Sequence, residues 1–355
     1  MNKFKKMCLV ALSVLSISLY ANENEAESEN KKDKLYAPVV VSLFGNEIFM
    51  FSNRDVVSNC AVGLVGSTIH QVNGIQSSGA YNVTNKMNGG QHAGIFNVNT
   101  TNTYGYQAAG LFNVTGGTVG GAQFAGGINI AAGELYGYQG AGLVNIAGGE
   151  NGGGLQTAGI LNIKKGDFKG AQFGLINICT GECGFQFGLI NISKSGVLEL
   201  GASYTSNEYF RYSFSTGPKL FYTVFGVMTD NPFVNGNCMK AGFYDNFATF
   251  AGFGSRQTMG ILNIDVEALY NNVYYRDSED YIRSAGYMSG RLSMGLTLGK
   301  VINIFAGYTA GFEHPDWNDS SIAFDHTRSH LASKFNNGLM IHHSVDAGLK
   351  IRFNK

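Results

Sequence analysis

Apolar and polar positions alternate along most of this chain, and in its first half they do so in copies. A ten-residue phrase, Gly-x-Gln-x-x-Gly-x-x-Asn-Val/Ile, recurs about every sixteen residues, with asparagines at 82, 97, 113, 129, 145, 162, 177 and 191. In residues 105–114, Tyr106, Ala108, Gly110, Phe112 and Val114 share one face, and Gln107, Ala109, Leu111 and Asn113 the other. A period of two predicts strands, and the glycine density excludes helix, at roughly 1 kcal/mol per interior glycine. The connectors TGGTVG, AAGELY, AGGENGG and KKGDFK read as polar turns. Each repeat therefore predicts one strand and one turn, copied because a single unit cannot bury its apolar face alone.

Beyond residue 195 the strict repeat ends and longer alternating strands begin. Leu292, Met294, Leu296 and Leu298 oppose Arg291, Ser293, Gly295 and Thr297. Val345, Ala347, Leu349, Ile351 and Phe353 oppose Asp346, Gly348, Lys350 and Arg352. The phrase returns once at 254–264, where the face of Gln257 and Asn263 continues into Asp265 and Glu267. Long strands with one apolar and one polar face suit a transmembrane β-barrel.

The fold class expected is all-β, an outer-membrane-type antiparallel barrel with strand-turn repeats in its N-terminal half. Repeats (57–192) and C-terminal strands (195–355) would then form one continuous barrel. The alternative is a β-solenoid of repeats followed by a smaller C-terminal barrel. Gly63-Leu64-Val65-Gly66, with glycine where the first asparagine would fall, resembles a capping unit and favours that alternative.

Composition places the chain without naming a reaction. Glycine is abundant, with 49 of 355 residues, and only 14% of residues are charged. Lysine plus arginine equals aspartate plus glutamate at 25 each, so no net charge draws the chain to nucleic acid. Residues 1–21 carry Lys3, Lys5 and Lys6 ahead of an apolar stretch, Met7 to Leu19, the pattern of a secretory signal peptide. Residues 22–36 form a polar lead expected to be disordered. The expected location is the outer membrane, exposed at the cell surface, with outer-membrane lipid as partner and the oligomeric state open.

The segment GAQFGLINI–CTGEC–GFQFGLINI resembles the Gly-Leu-x-Asn surface-repeat proteins of spirochaetes and other didermal anaerobes. The resemblance covers about 57–192 and implies a secreted or outer-membrane location, not an activity. The final strand is similar to the C-terminal insertion signal of outer-membrane barrels, but it ends Phe353-Asn354-Lys355 instead of on the aromatic.

Candidate chemistry is sparse. Cys179 and Cys183 share one repeat turn and predict a disulfide in an oxidising compartment; free thiols or a metal pair are the alternatives. His314, His326, His330, His342 and His343 concentrate late, beside Asp316, Asp319 and Asp325, and read as a solvated outer loop rather than a metal site. No nucleophile elbow, HExxH or phosphate-binding loop is present, so the chain reads as no enzyme, with neither metal nor cofactor.

Two function classes follow. In the first, a passive pore for small polar solutes is lined by Gln76, Asn82, Gln91, Asn97, Gln107, Asn113, Gln123, Asn129, Gln139, Asn145, Gln156, Asn162, Gln257 and Asn263. In the second, an adhesin or antigen contacts host surface molecules through the repeats or through outer loops around 271–283 or 313–337.

Overall fold

A computed structural model describes residues 35–44, 56–207, 209–230, 247–276, 282–299, 301–313, 333–334 and 340–353. The expected signal peptide, and all of the polar lead but Leu35 and Tyr36, fall outside them, as do Cys238, His314, His326 and His330. The described residues are all-β, and the chain divides into two compact units at Gly184.

The first unit is a parallel β-solenoid, so the repeats and the barrel are separate sheets rather than one continuous barrel. Each repeat coils once and stacks in register on the next: Gln107 lies between Gln91 and Gln123, and Asn113 between Asn97 and Asn129. The repeat holds two strands, not the single one its alternation predicts. Thr103–Ala109 and Phe112–Thr115 are separated by a turn at Gly110-Leu111. That turn is tight because nothing but hydrogen fits on its glycine: a Cβ on Gly110 would lie 2.2 Å from the Gly94 carbonyl oxygen one coil below. A strand of seven residues followed by one of four is also shorter than the ~9–11 residues that cross a bilayer.

At the start of the stack, Leu35–Tyr36 and Val39–Ser42 run parallel to Val56–Gly63. Ser67 stands in register with Asn82, so the degenerate first unit carries serine in the asparagine position. Ala61, Ile69, Val72 and Met87 form a small apolar core there. Val119, Ala131, Leu135, Ala147, Phe168 and Cys179 form another further along.

The second unit contains a closed antiparallel barrel of 8 strands. They are Val197–Thr205, Tyr209–Gly217, Tyr222–Asp230, Phe247–Met259, Leu262–Arg276, Ile282–Leu298, Ile302–Glu313 and Met340–Arg352. The first strand pairs with the last, Glu199 opposite Arg352 and Thr205 opposite Asp346, which leaves no open edge. A barrel of ~8 strands is just wide enough inside for side chains to fill.

One end of the barrel gathers short connections between Gly217 and Tyr222, between Met259 and Leu262 and between Leu298 and Ile302, and Gly260 and Gly299 take left-handed backbone angles there. The chain enters and leaves at this same end: Val197 pairs with Gly217, and the Phe353 amide donates to the Leu198 carbonyl at 2.9 Å. The connections 206–208, 231–246, 277–281 and 314–339 join strands at the opposite end, so that end holds one short turn beside the longer connections.

Candidate functional sites: the solenoid spine and the barrel interior

The glutamines and asparagines of the repeat do not line a lumen. Gln76, Gln91, Gln107, Gln123, Gln139 and Gln156, with Asn82, Asn97, Asn113, Asn129, Asn145 and Asn162, have no exposed surface at all. They form two stacked amide ladders inside the solenoid. In the glutamine ladder each Nε2 donates to the Oε1 one coil back, as from Gln107 to Gln91 and from Gln123 to Gln107, both at 2.8 Å. In the asparagine ladder each Nδ2 donates to the Oδ1 one coil ahead, as from Asn97 to Asn113 and from Asn113 to Asn129, both at 2.9 Å. The second asparagine proton fixes that direction by bonding the next coil's backbone: Asn113 to Phe124 O at 2.7 Å, Asn129 to Gly140 O at 2.8 Å. The two ladders therefore carry opposed dipoles. A polar interior is tolerated because nearly every buried amide is paired.

Late in the spine the interior changes character. Lys164 is fully buried, in the space left by Gly152, where a Cβ would stand 2.9 Å from Lys164 Cε. Its ammonium donates to Gly148 O at 2.9 Å, to Gly149 O at 3.0 Å and to Lys165 O. Burial pushes its pKa below the ordinary lysine range. Cys179 stacks next to it in register. The expected Cys179–Cys183 disulfide is replaced by a pair of thiols. The hydrogen bond from Cys183 holds the Cys179 thiol below its usual range. Among the described residues no cluster of three or more potential metal ligands forms.

Inside the barrel, side chains of both charges interlock. Arg256 forks onto Glu199 (2.6 and 2.8 Å) and Asp265 (2.6 and 2.8 Å). Lys350 donates to Asp265 at 2.6 Å, and Arg352 to Glu199 at 2.6 Å. Arg291 bridges Glu267 at 3.0 Å and Asp346 at 2.8 and 3.1 Å, while Tyr222 donates to Glu267 at 2.9 Å. Arg211 lies 3.9 Å above the Phe250 ring. Val197, Tyr222, Val224, Phe250 and Leu269 pack beside the ions. These charges belong on the faces that alternation marked as polar. Their pairing across strands was not predictable, because it depends on which strands the closure makes neighbours.

Two residues of the predicted lining fall here. Asn263 is buried in the interior and donates to Thr297 Oγ1 at 2.7 Å. Gln257 is exposed on the outer face, because the inward positions of its strand are Gly254 and Arg256. His343 also faces outward, stacked on Tyr308.

Outside, the barrel carries an apolar belt. Leu200, Val266, Leu292, Met294, Ile304 and Leu349 are each 44–57% exposed, with Tyr204, Tyr270 and Phe312 among the aromatics flanking them. No family model matches the chain, and no curated protein or solved structure does either.

Proposed function

We propose that the chain is an outer-membrane anchor that carries a rigid β-solenoid. The observation behind this reading is the inversion of the barrel: hydrocarbon side chains outside, ion pairs inside. That is the distribution a bilayer-spanning barrel requires. The interior supports an anchor over a passive pore, since its buried charges are paired with one another across it.

The lengths of the connections support an orientation. Outer-membrane barrels place short turns on the periplasmic side and long loops outside. The polypeptide bearing the repeats enters at the short-turn end, where the Asn191 amide bonds Thr216 Oγ1 at 3.0 Å and Asn191 Nδ2 bonds Thr223 Oγ1 at 3.1 Å. The repeats are then periplasmic, and the opposite end of the barrel is the one turned toward host molecules.

Labelling by a membrane-impermeant maleimide tests this in a two-membraned bacterial host. The protein has its own cysteines changed to serine and carries either Ser206→Cys, in an exposed turn at the end opposite Val197, or Lys165→Cys. Ser206→Cys is expected to label in intact cells, and Lys165→Cys only after the outer membrane is permeabilised. The reverse pattern would overturn the orientation.

A further inference from the structure

The second turn of a coil brings two inward positions face to face, four residues apart. In one coil they are Asn99 and Thr103, with Asn99 Nδ2 donating to Thr103 Oγ1 at 2.7 Å. In a later coil they are Ala131 and Leu135, both fully buried in one apolar cluster. Register carries the first position from Asn99 through Thr115, Ala131, Ala147 and Lys164 to Cys179. Cys183 takes the second position and packs against the cluster that contains Cys179. The coil geometry that sets an asparagine on a threonine therefore sets one thiol on another. Cys183 donates a hydrogen bond to the Cys179 sulfur. Cys179 is buried, whereas Cys183 keeps part of its surface exposed.

A charge stands beside the pair. Lys164, one coil back in register with Cys179, is the only charged side chain buried in the first unit among the described residues. Its three carbonyl acceptors, Gly148 O, Gly149 O and Lys165 O, use all three ammonium protons, so backbone dipoles solvate the charge without neutralising it. The other ionisable groups nearby, Glu134, Glu150, Lys165, Asp167 and Glu182, lie along the second turn with surface in water, where screening weakens them. Loss of the Cys179 proton places a counter-charge inside, next to the ammonium. The hydrogen bond from Cys183, and after it the Lys164 charge, favour that loss against burial. A thiol beside a lysine in this way is the reactive kind.

We infer that Cys179 and Cys183 form a reversible dithiol–disulfide couple that exchanges with a disulfide carrier, with Lys164 as the positioning charge that stabilises its reduced form. Cys183, the more exposed, attacks the carrier. Its sulfur bonds one carrier sulfur, the carrier S–S bond breaks, and the Cys183 proton passes to the departing carrier thiolate. The Cys179 thiolate then attacks the Cys183 sulfur and expels the second carrier thiolate, which takes a proton from solvent. Two electrons pass to the carrier, leaving one protein disulfide and two carrier thiols. All these residues lie in the first unit, so the inference does not rest on the anchor reading.

The test uses the full-length protein with Cys8, Cys60 and Cys238 changed to serine, equilibrated with mixtures of reduced and oxidised glutathione. Acid quenching, alkylation and mass spectrometry give the ratio of disulfide to dithiol. A Cys179–Cys183 disulfide that reopens on adding reduced glutathione is expected. Thiols alkylated throughout, a glutathione adduct on Cys183 that never resolves, or a disulfide that does not reopen would overturn the couple. Lys164→Ala repeats the residue that Ala131 and Ala147 place in the same column. It should raise the disulfide-to-dithiol ratio near neutral pH by roughly three- to tenfold, because the reduced form loses its stabilising charge. The difference should fade on acidification, as Cys179 takes up its proton in both proteins. A lowered ratio, or a difference independent of pH, would mean that Lys164 only fills space, and would overturn its role. The parent protein supplies a check without substitution at 164. Its ratio should fall as pH rises below the ordinary thiol range of ~8.5, since only the protein's reduced form then releases a proton. A ratio flat across that window would contradict an ionised Cys179.

Discussion

Asn129→Ala tests the amide ladder at its centre. The Asn129 side chain accepts from Asn113 Nδ2 at 2.9 Å and donates to Asn145 Oδ1 at 3.0 Å and to Gly140 O at 2.8 Å. Alanine removes these three bonds and a longer one to Gln123 O at 3.3 Å. Asn113 keeps its bond to Phe124 O, but the buried Asn145 Oδ1 loses its ladder donor. With about 1 kcal/mol per bond and roughly 1–3 kcal/mol for a stranded buried acceptor, the expected cost is roughly 4–6 kcal/mol. A solenoid unfolds locally, so the assay is native-state hydrogen exchange read coil by coil in the full-length protein. Loss of protection should centre on the coils carrying residues 113–145. The double variant Asn129→Ala/Asn145→Ala removes the stranded acceptor as well, so it should cost less than the sum of the singles by about 1–3 kcal/mol. Strict additivity, or a single-site cost no larger than that of an Asn88→Ala control at a half-buried site outside the ladders, would refute the ladder.

Three further outcomes are expected. Gly126→Ala puts a Cβ 2.3 Å from the Gly110 carbonyl oxygen and should destabilise the solenoid by about 1–3 kcal/mol, whereas Gly290→Ala, with nothing within 4 Å, should be near neutral; thermal melts compare them. Arg291→Met leaves Glu267 and Asp346 without their main counter-ion and should cost about 3–5 kcal/mol in urea unfolding from micelles, with most of it recovered by adding Glu267→Gln and Asp346→Asn. Because burial lowers the Lys164 pKa, the folded state binds fewer protons than the unfolded state between that lowered value and the ordinary 10.5. Stability should therefore rise with pH across that window, and Lys164→Met should abolish the rise. A Cys179→Ser background is needed for the comparison, since the lowered thiol pKa acts in the same direction.

Alternation alone revealed the β class, the repeat and the polar faces, because a period of two survives in any strand arrangement. It did not reveal where those faces look. Gln107 and Asn113 share a face whether that face lines water or stacks on its own copies, since both environments accept an amide. The deciding signal is the second glycine of each phrase, which breaks the strand in two. Its meaning depends on a carbonyl sixteen residues earlier, Gly94 O against Gly110, a contact that exists only after coiling. The barrel's ions were legible as inward-facing. Glu267 and Arg291 face each other on neighbouring strands, but Arg291 and Asp346 come from strands separated by Ile302–Glu313. They meet over Gly307 of that strand, where a Cβ would stand 2.7 Å from Asp346 Oδ1 and 2.8 Å from Arg291 Nη2. Cys179 and Cys183 were read from spacing alone, which does not show one thiol facing the spine beside Lys164.

The filled barrel carries the functional account, and single-channel recording of the purified full-length protein in planar bilayers tests it most directly. Insertion without stepwise current is the predicted result, because the paired side chains of Glu199, Arg256, Asp265, Glu267, Arg291, Asp346 and Lys350 occupy the interior. Reproducible unitary conductance steps from the folded barrel would contradict it and return the protein to the class of passive pores.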